Sequence, residues 1–202
     1  MKYKPDWHQA AERLTALWNH QPLDRPCVSI RAWQAVADLM PVKTPVDLEA
    51  YWLDPDYRVP AAINSIKQTW WGGEALPGVL LLANWLNCLG GTPCFDANTI
   101  WFETVAVDFT KPSPFRHDPQ NIWTKKYQKL FLALAREAGA DDFCVSYGAG
   151  LPVNDLLSML MGTEQFLMAL IDEPDWMERA ILDGARDNIA LKKAHGEMIR
   201  SA

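Results

Sequence analysis

No stretch of this sequence is rich in lysine and arginine. The 19 basic residues are outnumbered by 25 acidic ones, for a net charge of −6. Nucleic-acid binding needs a basic surface to displace counterions from the phosphates, so no nucleic-acid partner is expected. Long hydrophobic runs are missing too. The longest candidate, "PGVLLLANWLNCLGG", is interrupted by Pro77, Asn84 and Asn87, and falls short of the roughly 20 apolar residues that span a bilayer. The opening "MKYKPDWHQAAERL" holds no apolar core of a signal peptide. Cysteine is sparse: Cys27, Cys88, Cys94 and Cys144 lie far apart and make no CxxC pair. That excludes a disulfide framework and a zinc site built from cysteines alone, and it suits reduced thiols in a cytoplasmic protein. Repeats, low-complexity tracts and linkers are also missing, so residues 1–202 read as a single domain.

What is present is core-forming material. Of the 202 residues, 49% are hydrophobic and 22% charged, an ordinary balance for a packed domain. Ten tryptophans are many for this length. They admit two readings, sugar stacking or packing. Packing is favoured, because Trp7 and Trp18 share a helical face with Leu14, while Trp123 and Trp176 sit in the first turns of helices. A sugar-binding module would be mostly β, and these patterns are mostly helical.

Apolar spacing predicts a first helix from about Pro5 to Asn19, then a strand over "CVSIRA". A helix follows from "TPVDLEAYWLD", with Thr44 as its cap and Pro45 in its first turn. Another covers about Pro60 to Trp71 and stops at Gly72-Gly73. "GVLLLAN" has the length and composition of a buried strand. In "TIWFETVAVDF", Ile100 and Phe102 alternate with Trp101 and Glu103, as in a strand or an extra hairpin. A long helix begins near Asp118-Pro119 and ends at Gly139. The strand "FCVSY", helices over Asn154–Met161 and Thr163–Ile171, and a last helix from Pro174 complete the chain.

Strands alternating with helices imply an α/β fold with parallel strands and helical crossovers. A closed (β/α)8 barrel takes about 250 residues. Only three or four strands are convincing here, and the last helical pattern continues without a stop signal. The fold expected is therefore a helix-rich, partial (β/α)8 TIM-type barrel that ends within a C-terminal helix. A compact open α/β fold is the alternative.

In parallel α/β folds, ligands gather where strands end and loops enter helices. Arg31, Asn84 and Tyr147 fall at such places. Beyond Tyr147 the turn "GAGLP" leads to Asn154 and Asp155 at a helix start, where free N–H groups favour an anion. Each has a plainer reading: Arg31 a surface ion pair, Asn84 a turn residue, Tyr147 a core-rim aromatic, Asn154 and Asp155 helix caps. Glu74 could reach a pocket, and His195 reads as a partly buried packing residue.

Four segments, "RPCVSIR", "WWGGEALPG", "DANTIWFETVAVDF" and "LPVNDLLSMLMGTEQFLMALIDEPDWMERAI", resemble the uroporphyrinogen decarboxylase superfamily in order and spacing. The branch they are most similar to is the diverged one related to corrinoid methyltransferases. The resemblance runs from Arg25 to Arg186 and implies the N-terminal half or more of a longer barrel. It implies that Arg31, five residues after Pro26, binds substrate carboxylates. The family's second arginine falls on Ala35, its catalytic aspartate near Asn84 and its tyrosine on Ser158. A neutral Asn cannot stabilise a protonated pyrrole as a carboxylate does, so methyl transfer with a corrinoid protein is expected ahead of uroporphyrinogen decarboxylation. The expected partner is thus a small tetrapyrrole or a corrinoid protein. The resemblance places zinc and corrinoid chemistry in the later half of the full-length relative, and no His-x-Cys occurs here. A third alternative is a non-catalytic incomplete barrel, whose open strand edges invite homo-oligomerisation.

Overall fold

The computed structural model describes residues 1–81, 89–139, 142–146 and 152–201. Among them are seven helices and six short strands. The first part holds α1 (Trp7–Trp18), β1 (Ser29–Trp33), α2 (Leu48–Leu53), α3 (Pro55–Lys67), β2 (Thr69–Gly73) and β3 (Gly78–Leu80). Next come β4 (Pro93–Phe95), β5 (Ile100–Phe102), α4 (Ile122–Ala138) and β6 (Cys144–Ser146). Three helices end the series: α5 (Val153–Met161), α6 (Thr163–Asp172) and α7 (Pro174–Ser201). The chain is mixed α/β and dominated by helix, which removes the β-rich expectation attached to a sugar-binding module.

The described strands form three separate two-stranded sheets, and no barrel is closed among them. One pair is parallel as expected: β3 lies beside β6, with Gly78 opposite Cys144 and Leu80 opposite Ser146. The β1–β2 pair is antiparallel, with Ser29 opposite Gly73 and Trp33 opposite Thr69. This corrects the expectation of parallel strands. The cause lies where α3 delivers the chain. Gln34, just past β1, donates from Nε2 to the Lys67 and Thr69 carbonyls (2.8 and 3.3 Å), and its backbone N–H reaches the Gln68 carbonyl (2.9 Å). Lys67 Nζ in turn donates to the Asp38 carbonyl (2.7 Å). The end of β1 is thereby tied to the start of β2, so β2 must run back. The segment around Thr99 is a hairpin strand, β4 pairing antiparallel with β5. Ile100 and Phe102 point into the core while Trp101 stays 46% exposed.

Several helix starts differ from the expected caps. Asp47, not Thr44, caps α2, its Oδ1 accepting the Ala50 N–H at 2.7 Å. Asp54 caps α3 and Pro55 opens it, so α3 begins before Pro60 and ends at Lys67, leaving Trp70 and Trp71 to a strand. Asn121 caps α4, accepting from Trp123 N–H at 2.8 Å, while Asp118 shapes the turn before it by accepting from Gln120 N–H. Gly139 ends α4 as expected, at φ +53°, where a side chain would be strained.

The core lies between helices. The inner face of α4 (Tyr127, Leu130, Phe131, Leu134) shares one buried cluster with Leu156, Leu157 and Leu160 of α5 and with Met177 and Leu191 of α7. Each such aliphatic side chain contributes about 1.5–3 kcal/mol on burial. At about 1.5 Å per residue, the 28 residues of α7 extend roughly 42 Å. His195 on this helix is 2% exposed, stacked on Phe131 (5.8 Å) and tilted against Tyr127 (5.5 Å). Burial, with a smaller contribution from His117, lowers its pKa to about 4. By contrast α1 packs through its first turns only: Ala10 is buried, whereas Trp18, expected in a packing stripe, is 86% exposed. No helix among the described residues is long and apolar enough to cross a membrane.

Candidate functional site

Between α3, the β1–β2 ribbon and β3 lies a cleft of about 610 Å³. That volume suits a small-molecule ligand, for which pockets run from about 300 to 1,000 Å³. Its polar lining is Arg31, Arg58, Ser65, Gln68 and Thr69, and no Asp or Glu among the described residues lines it. Both guanidinium groups therefore face a hollow without a carboxylate.

Arg31 stands opposite Trp71 across the ribbon, so the two side chains share one face. Its guanidinium carbon sits 5.1 Å from the Trp71 ring centroid, a cation–π contact that holds the side chain while leaving its hydrogen-bond donors for another partner. Trp71 is itself fixed. It is 7% exposed, its indole N–H donates to the Ile66 carbonyl (3.1 Å), and its own carbonyl accepts from the buried Lys4 Nζ (3.0 Å). Arg58 comes from the first turns of α3. Residues 58, 61, 62 and 65 lie at helical spacing, and all four line the cleft. The Arg58 guanidinium lies over the rings of Trp52 (5.6 Å) and Tyr51 (5.9 Å). Burial lowers its pKa from the usual arginine value.

At the other end of β2 the charges are matched. Glu74 accepts two hydrogen bonds from Arg25 (2.6 and 2.9 Å) and one from the Val28 N–H (2.7 Å), with Arg13 at 3.7 Å. The bond from Arg25 holds its carboxyl below the usual range. Gly73 makes this turn at φ +59°, where an added Cβ would meet the Val28 carbonyl at 2.1 Å. Glu74, which could have reached a pocket, is instead consumed in joining the start of β1 to the end of β2.

Of the residues expected to form the site, Arg31 lines the cleft. Asn84 and Tyr147 lie outside the described residues. Asn154 and Asp155 are exposed in the first turn of α5, and neither caps it, since Pro152 holds that position without a side-chain bond. Ser158 donates to Thr163 Oγ1 (3.3 Å) where α5 meets α6. None of these three lines the Arg31 cleft. Arg58 was missed because the helix was expected to start at Pro60. Asp54-Pro55 was the signal for an earlier start, and it places Arg58 on the face shared with Ala61, Ala62 and Ser65.

Cys27, Cys94 and Cys144 are free thiols, and burial raises the pKa of Cys144. No group of three or more His, Cys, Asp or Glu among the described residues is placed to hold a metal ion. Comparison with protein-family models, curated proteins and solved structures returns no match.

Proposed function

We propose that this chain is a uroporphyrinogen-decarboxylase-like protein of the cytoplasm that binds a carboxylated tetrapyrrole or corrinoid-linked substrate in the Arg31 cleft. The supporting observation is an arginine in the middle of β1, aligned on a tryptophan and facing a hollow without acidic side chains among the described residues. A propionate or acetate side chain would take the guanidinium donors, and the flat ring would lie along the aromatic wall. Methyl transfer with a corrinoid protein is the reaction favoured for the complete barrel. Asn84 in place of a carboxylate weakens the case for decarboxylation.

A second reading, a non-catalytic incomplete barrel, is favoured by one observation. All five residues of β1 are exposed, including Ile30 (46%) and Trp33 (76%).

Titration with uroporphyrin I, followed by quenching of tryptophan fluorescence, tests the first reading. Wild-type protein binds, the octamethyl ester does not, and Arg31→Gln weakens binding by about tenfold or more, the loss of a charged hydrogen bond. Equal binding of acid and ester, or an Arg31→Gln variant indistinguishable from wild type, removes the carboxylate reading.

A further inference from the structure

Arg58 has no role in the resemblance, yet its surroundings are those of a binding group. Its Nε is fully buried and has no hydrogen-bond partner among the described residues. A guanidinium carries five donors, and a buried donor left unpaired is costly. The carboxylates closest to it in sequence are committed elsewhere. Asp54 caps α3 by accepting from the Asp56 N–H (3.0 Å), Asp56 pairs with Lys43 (3.6 Å), and Glu49 pairs with Lys126. The faces of Trp52 and Tyr51 steady the cation but cannot accept its in-plane N–H groups. A side chain kept for packing alone would do as well, or better, without the charge.

We propose that Arg58 is a second anion-binding group of the cleft, taking from α3 a carboxylate of the same ligand that Arg31 meets from β1. Ala35, two residues past β1, stands where the resemblance puts a second arginine, and the helix supplies one instead. The ligand class is then a polycarboxylate with a flat apolar body, gripped from two elements. This assignment rests on reading the cleft as the ligand pocket under the proposed function.

The test uses Arg58→Met and Arg58→Lys in the full chain, with two readouts. In ligand-free protein, Arg58→Met melts at or above the wild-type temperature, because a half-buried guanidinium with an unpaired, buried Nε has been removed. Its uroporphyrin I affinity falls by about tenfold or more, and Arg58→Lys, which keeps the charge and loses the planar fork, falls between. In thermal melts with citrate against chloride at matched ionic strength, citrate raises the wild-type melting temperature more than that of Arg58→Met. If wild type ignores uroporphyrin but this citrate difference holds, the tetrapyrrole reading falls and the anion-binding role of Arg58 stands. Should citrate stabilise wild type and Arg58→Met equally, or should Arg58→Met melt lower with unchanged uroporphyrin affinity, the role of Arg58 is overturned.

Discussion

The two ends of β2 treat arginine in opposite ways. Beyond Gly73, Arg25 meets Glu74 through two hydrogen bonds, and the same carboxylate holds the Val28 N–H. Around Thr69 and Trp71, Arg31 and Arg58 face a cleft whose lining holds no carboxylate, and rest on aromatic rings. A matched guanidinium joins chain segments. An unmatched one is left with donors to offer an anion, and at Arg58 the buried Nε also costs stability in the empty protein. Arginine content is the same kind of residue count at both ends, so the pairing, and not the residue type, separates structural charge from binding charge.

Three measurements sharpen or break this contrast, beginning with a third way of treating a cation. His195 is kept neutral by burial. Its folded pKa of about 4 lies below the usual 6.5, so the unfolded chain binds more protons between these values. Stability is full above pH 6.5 and falls by about 3 kcal/mol on going down to pH 4. Urea unfolding at several pH values reads this directly, and His195→Leu flattens the slope above pH 5. An unchanged slope in that variant would assign the pH dependence to other groups.

Glu74→Gln is expected to cost about 2 kcal/mol, because a charged hydrogen bond to the Val28 N–H is weakened and Arg25 loses its partner. The lowered carboxyl pKa of Glu74 means that its contribution is present above the ordinary carboxylate pKa and is lost as the solution becomes more acidic. The variant therefore shows a shallower acid-side fall than wild type below about pH 4.5, with the remainder due to other paired carboxylates such as Asp187. If Glu74→Gln is as stable as wild type, the two ends of β2 are not different in kind.

The smallest effect is expected from Lys43→Ala. Its pair with Asp56 spans 3.6 Å between side chains that are 79% and 73% exposed, where water and salt screen the attraction. A melting temperature indistinguishable from wild type is the expected result. A clear drop would show that exposed pairs on this surface carry stability, and would weaken the inference drawn from unmatched charges.

Much of the element order was legible in the residues. The α4 stripe of Tyr127, Leu130, Phe131 and Leu134, the stop at Gly139, the Pro174 start of α7 and the Ile100–Phe102 alternation all depend on neighbours within a few positions. Cap positions were less legible, because Asp47 and Asn121 compete with Thr44 and Asp118 at comparable local cost. At the site, Arg31 was expected where a parallel strand ends but lies in the middle of the antiparallel β1, and Arg58 was hidden by one misjudged helix start.

By itself, then, the chain determined its periodic helices, its short apolar strands and its net negative charge, since these follow from composition and near-neighbour geometry. Only the tertiary structure decided that β2 runs against β1, that Glu74 is spent on Arg25, and that Arg31 and Arg58 share a hollow. Those outcomes depend on which distant segments meet, through contacts such as Gln34 with Lys67 and Thr69, and no local pattern encodes a partner found tens of residues away.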